Sequence, residues 1–170
     1  HIAIELIKYA LPSHLFENID MNSVELSEDT FIDEKLRGHY SDICYSASTL
    51  QGEPLRISII FEHKSNLPDT PVREQLLRYI SGAWAKDLKQ NRRLSLIIPI
   101  LVYHGEAPIE KETNETLFPD APVDLLPFVP AFDYVLLDIA RIPDHIIEAL
   151  EFRILTNIFL ALKYGRNADY

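Results

Sequence analysis

Leu55-Arg56-Ile57-Ser58-Ile59-Ile60-Phe61-Glu62-His63-Lys64 decides the fold. The apolar run is short and β-branched, the pattern of a buried strand, and it closes on an acid and an amine two positions apart. Alternate residues of a strand share a face, so Glu62 and Lys64 point the same way. Upstream, small and β-prone residues from Tyr40 to Ser48 predict a second strand, and Leu50-Gln51-Gly52-Glu53 predicts the turn between the two. In the resulting hairpin, Asp42 can join Glu62 and Lys64 on one face.

On the N-terminal side, residues 2 to 10 read as a helix ending before Pro12, and residues 13 to 38 as an acidic, irregular connection with short turns. On the C-terminal side, Thr70 is expected to cap a helix whose first residue is Pro71 and which runs to Asn91. Val72, Leu76, Ile80, Ala83, Trp84 and Leu88 form its expected buried stripe. Leu94 to Tyr103 is almost entirely apolar and reads as a central strand covered on both faces, ended by His104-Gly105. Prolines at 108, 119, 122, 127 and 130 make residues 106 to 131 a long structured loop. Phe132 to Ile139 reads as a further strand, and Asp144 as the cap of a last helix extending to Tyr164. The order predicts an α/β fold, a mixed central sheet made of the hairpin plus further strands and flanked by helices.

Two carboxylates held on one sheet face suit Mg²⁺, which takes hard oxygen ligands and keeps several of its waters. Such an ion supplies what phosphodiester hydrolysis needs, charge neutralisation and a source of hydroxide. Asp42 and Glu62 are the candidate side-chain ligands, the backbone carbonyl of His63 a third. Lys64 can orient the water or stabilise developing charge. Acid-x-Lys is weak alone, since Asp33-Glu34-Lys35 and Asp87-Leu88-Lys89 carry it too. The first lies in a polar connection. The second lies on a helix, where positions two apart diverge by about 200°. A same-face surface pair on an edge strand is the alternative for Glu62 and Lys64. Gln75 and Tyr79, one helical turn apart beside the apolar stripe, can reach over the same sheet face, or simply be a boundary Gln and a partly buried Tyr.

The composition sets limits on these readings. At 170 residues, 47% apolar and 25% charged, the chain is read as one domain over residues 1–170. It lacks a transmembrane-length apolar run and a signal-peptide layout, which predicts a cytoplasmic protein with no membrane partner. The lone Cys44 rules out an intrachain disulfide and any multi-cysteine zinc site, and reads as a small packed hydrophobe. The six histidines show no zinc spacing. His104 is either a structural strand-end residue or one approaching the metal face. A net charge of −10 argues against a broad nucleic-acid-binding surface. Lys86, Lys89, Arg92 and Arg93 crowd one helix end, as a local patch or as a solvated terminus complementing the helix dipole.

Four ordered blocks cover most of the chain: Thr30-Phe31-Ile32-Asp33-Glu34-Lys35-Leu36-Arg37 leading into Ser41-Asp42; Ile59-Ile60-Phe61-Glu62-His63-Lys64-Ser65; Gln75-Leu76-Leu77-Arg78-Tyr79; and Ile98-Pro99-Ile100-Leu101-Val102-Tyr103-His104-Gly105. Together they resemble the PD-(D/E)XK nuclease superfamily, and within it the recombination-promoting nuclease (Rpn), transposase-like family. The resemblance implies a restriction-endonuclease-like core. It also implies a metal-dependent DNA endonuclease, using Mg²⁺ or Mn²⁺, linked to recombination or mobile elements. Asp42, Glu62 and Lys64 would be its catalytic set, and Gln75 and Tyr79 look like the Gln-x-x-x-Tyr motif of the superfamily's exonuclease branch. DNA is the implied partner, and homo-oligomerisation stays open. Family members generally extend further at both termini, so the domain is expected to be truncated relative to them. A catalytically inactive copy of the fold, acting as a protein or nucleic-acid interaction module, is the alternative.

Overall fold

The computed structural model describes residues 2–27, 40–62, 70–105 and 108–165, with the backbone alone at positions 2, 3, 40–42 and 62. Five strands form one mixed sheet in the order β1-β2-β3-β4-β5: β1 (Ile19–Leu26), β2 (Tyr40–Thr49), β3 (Pro54–Glu62), β4 (Leu96–Tyr103) and β5 (Val135–Asp138). The first three are antiparallel, and β3, β4 and β5 are parallel. The expected hairpin is β2–β3. Its turn closes through Gly52, whose φ of 80° lies in the left-handed region that favours glycine.

β3 lies at the centre, and its two faces feed separate layers. Leu55, Ile57 and Ile59 pack with Ile100 and Val102 of β4 against α1 (Ile2–Ala10), α5 (Asp144–Glu148) and α6 (Arg153–Tyr164), through Ile7, Ile147, Leu155 and Phe159. Each such side chain, removed fully from water, contributes about 1.5–3 kcal/mol. The opposite face, through Ile60, Leu101 and Tyr103, meets Val72, Leu76 and Tyr79 of α3 (Val72–Lys89) and Ile109 and Tyr134 of the connection between β4 and β5. Strands buried on both faces read as continuous apolar runs, which is why β3 and β4 were visible in the sequence. Among the described residues no helix is long and apolar enough to cross a membrane.

Several sequence expectations are corrected. The stretch expected to be irregular contains a short helix, α2 (Ser13–Phe16), and the edge strand β1. The pairing of β1 with β2 shifts register between Asp20 and Glu25, and that irregularity erases the alternation by which a strand is recognised. Residues 28–38 lie outside the described residues. Trp84 and Leu88, assigned to the buried stripe of α3, are 41% and 63% exposed. Steps of four residues advance about 40° around a helix, so the series from Leu76 to Leu88 winds off the sheet. Ala83 and Asp87 take the inward positions instead. Thr70 makes no side-chain cap. The α3 cap position is Pro71, and the backbone N–H of Arg73 donates to Glu112 Oε2 at 2.8 Å. The last helix is two, α5 and α6, and Asp144 accepts from Lys163 Nζ and Tyr164 Oη rather than capping. α3 ends with Asn91 at φ 52° and the paired bonds Asn91 N–H to Leu88 O and Arg92 N–H to Asp87 O, a Schellman stop. The loop after β4 holds α4 (Asn114–Leu117), with Thr113 and Thr116 in a reciprocal cap, and a 3₁₀ turn at Val123–Phe128.

Candidate active site

α3 lies antiparallel along β3 and is pinned to it by polar contacts at two levels. At the N-terminal end of β3, the Arg56 guanidinium pairs with the fully buried Asp87, and Ser95 donates both its N–H and its Oγ–H to Asp87 Oδ2, at 3.0 and 2.9 Å. One step along the same face, Tyr79 Oη donates to Ser58 Oγ at 2.7 Å. Ile60 follows, under Val72 and Leu76, and the first turn of α3 reaches the Glu62 end. Period-two alternation puts Arg56, Ser58, Ile60 and position 62 on this α3 face.

The antiparallel register pairs Asp42 with Ile60 and Tyr40 with Glu62. Opposed positions share a face, so 42 and 62 occupy the α3 face of adjacent strands as diagonal neighbours, a spacing of about 7–8 Å between backbone positions. The side chains of Asp42 and Glu62 lie outside the described residues, as do His63 and Lys64 entirely. Gln75 and Tyr79 both face the sheet and are buried. The Gln75 amide donates to Thr70 O at 2.7 Å, and the Tyr79 hydroxyl is engaged by Ser58, so each acts first in fixing α3 and its entry. Cys44 is buried with its Sγ 3.9 Å from Ser58 Oγ, packed as the sequence reading expected. His104 is half-buried at the end of β4. Next to it, a Cβ at Gly105 would fall 2.1 Å from Tyr103 Oη, so any side chain here would displace the fully buried Tyr103 ring.

Asp138 escaped the sequence reading. Register places Glu62, Tyr103 and Asp138 level across the carboxyl ends of the three parallel strands, the edge at which open α/β sheets bind ligands. Its carboxylate oxygens are buried without a hydrogen-bond partner among the described residues, and Arg141 Nε lies 3.4 Å away. Burial pushes this carboxyl above the usual range, the Arg141 charge and backbone N–H groups of Arg141, Ala140 and Ile109, too far or too bent for full hydrogen bonds, only partly offsetting it. The usable signal was an acid directly after an apolar strand, as at Glu62. Arg73 and Glu112 were also missed. The buried Arg73 guanidinium donates to Phe132 O at 3.0 Å and stacks on the Phe132 ring, while the N–H of Glu112 donates to Tyr134 Oη at 2.9 Å. These contacts tie both ends of the long loop to the start of α3. Among the described residues no three His, Cys, Asp or Glu side chains converge as a metal cluster.

The family model described as "Putative transposase, YhgA-like" matches residues 1–169. The chain belongs to this family. YhgA-like relatives include recombination-promoting nuclease RpnC of Escherichia coli K12, 36% identical over 62% of this chain and 35% of its own length. Recombination-promoting nuclease RpnA of the same strain is 29% identical over 98% of this chain and 56% of its own length. The inactive recombination-promoting nuclease-like protein RpnE, also of K12, is 28% identical over 98% of this chain and 55% of its own length. The chain thus spans roughly a third to just over half of these relatives. No solved structure matches. The family's PD-(D/E)XK assignment agrees with the architecture, a five-stranded mixed sheet between helical layers.

Proposed function

We propose that this YhgA-like chain is a Mg²⁺-dependent DNA endonuclease that hydrolyses phosphodiester bonds in the cytoplasm, in the setting of recombination or mobile elements, with Mn²⁺ able to replace Mg²⁺. The observation that carries the reading is the β2–β3 register, which makes positions 42 and 62 diagonal neighbours on the face that α3 overlooks. Both positions hold hard oxygen donors, so the residues fit the ion. Asp42, Glu62 and the His63 carbonyl would hold it. When bound, the ion supplies Lewis acidity and a water acidic enough to ionise near neutral pH. Lys64 would orient that water and stabilise developing charge on the phosphate. Gln75 and Tyr79 hold α3 in register over the site.

A second reading has its own support. RpnE, named inactive, aligns across nearly the whole chain, and the charge of −10 is unfavourable for DNA. In that reading the chain is an interaction module. A plasmid-nicking assay with Mg²⁺ or Mn²⁺ separates the two. The nuclease reading expects nicking by wild type and its loss in Asp42→Ala and in Glu62→Ala. Equal behaviour of all three proteins sinks it and leaves the interaction module.

A further inference from the structure

The two ends of α3 carry exposed surfaces of opposite character. At its C-terminal end, half-buried Lys86 and exposed Lys89, Arg92 and Arg93 share a stretch with exposed Trp84, Leu88, Leu94 and Leu96. Asp87, the acid within this stretch, is buried against Arg56, and Arg93 is paired with Glu53 at 2.6 Å, so the basic character of this end rests on Lys89 and Arg92. Trp84 is held in place by its indole N–H, which donates to Ser95 O at 2.9 Å, so an ordered aromatic face is presented to solvent. At the N-terminal end sits the loop anchored by Arg73 and Glu112. No Lys or Arg occurs between Lys111 and Arg141, and this stretch contains Glu115, Asp120 and Asp124. Val123 is 78% exposed and Phe128 85% exposed, with Phe118 and Leu125 also open. Clustered apolar exposure of this kind marks an interaction surface. Its charge excludes nucleic acid as the occupant of the loop end.

We propose that the protein forms a two-fold symmetric dimer in which α3 helices of two copies run antiparallel, the acidic apolar loop of each seated on the basic apolar helix end of the other. The partner is a second copy because each surface finds its complement in charge and in apolar character at the far end of the same helix, about 27 Å away for 18 residues. An antiparallel pair therefore satisfies both contacts at once, the closed isologous arrangement commonest among homo-oligomers. The outward face of α3 between the two ends is exposed at Ser81, Gly82 and Ala85, small residues that permit close helix approach, with exposed Arg78 beside them paired to Glu74 of its own helix. The dimer does not depend on nuclease activity.

Sedimentation equilibrium of the purified protein tests the proposal, expecting a concentration-dependent rise from 19.6 kDa to twice that mass. Lys89→Glu with Arg92→Glu, and separately Asp120→Lys with Asp124→Lys, should each weaken self-association about tenfold or more through like-charge opposition. Mixed in equal amounts, the two variants should recover a heterodimer, since each reversed surface then meets its reversed complement. All four positions are exposed, and circular dichroism checks that the variants are folded. Wild type that stays monomeric, variants that associate like wild type, or a mixture that fails to recover association overturns the proposal. So does a monomeric wild type that retards duplex DNA through Lys89 and Arg92, which would assign the basic end to nucleic acid.

Discussion

Tyr79 illustrates how a residue matching a motif can be structurally committed. Its ring lies in the apolar layer over β3 and its hydroxyl donates to Ser58. Tyr79→Phe keeps the ring and leaves Ser58 without its donor, so stability should fall by about 1 kcal/mol and Tm by about 2–4 °C for a domain of this size. Nicking should persist wherever the variant is folded. If Tm is unchanged and nicking is lost, Tyr79 touches the substrate instead. Asp138 has the opposite economy of charge. Burial raises its carboxyl above the ordinary 3.8, so the folded state keeps that proton to higher pH than the unfolded chain does. Stability linked to Asp138 is therefore greatest at low pH and declines as pH rises above 3.8 through the folded value. Asp138→Asn should raise resistance to urea at pH 7, with the gain shrinking as pH is lowered toward 3.8. A variant less stable at pH 7 would mean that the Arg141 pairing outweighs desolvation.

The placement of α3 depends on a few long-range polar contacts as well as on apolar packing. Asp87→Ala strands the Arg56 charge inside the sheet layer and should cost about 3–5 kcal/mol, whereas Arg56→Met combined with Asp87→Leu should recover only part of that loss, because the buried Ser95 N–H then lacks its acceptor at a cost of about 1–3 kcal/mol. Urea denaturation of the three proteins measures it, and an Asp87→Ala variant as stable as wild type would show that water reaches Arg56. This pairing also marks where legibility ended. The β2–β3 hairpin and the body of α3 were readable because their signals are local: period-two alternation, a Gly turn, apolar residues at helical spacing. The same-face placement of positions 42 and 62 followed from that alternation as soon as the hairpin register was fixed. β1 was not readable, because its register shift breaks the alternation and Ser23 Oγ takes the N–H of Ser48 at 2.8 Å within the irregular stretch. The polar inward residue Asp87 made the lower half of α3 look as though Trp84 and Leu88 were its buried side. The Arg73 and Glu112 anchors join residues far apart in sequence and left no local pattern to find.

At the scale of the whole molecule, charge acts on folding and on DNA in opposite directions. With a net charge of −10, the compact state suffers self-repulsion that the expanded chain largely escapes, and added salt screens it. Raising ionic strength from 10 mM to 150 mM shortens the screening length from about 30 Å to about 8 Å. The buried ion pair of Arg56 with Asp87 is shielded from this change, while exposed pairs such as Arg93 with Glu53 contribute little to begin with. Repulsion should dominate the balance, and Tm should rise by a few degrees, each 1 kcal/mol corresponding to about 2–4 °C. Duplex DNA binding should weaken over the same interval, because any phosphate contacts release counterions. The slope of that weakening should be shallow, since the basic residues that concentrate at the C-terminal end of α3 stand at the far end of the helix from the carboxylate face. Thermal melts and DNA titrations in matched salt series test both signs together. A Tm that falls with salt would show that attractive surface pairs outweigh the net repulsion. A steep DNA slope would require cations at the site that the charge distribution of the described residues does not supply.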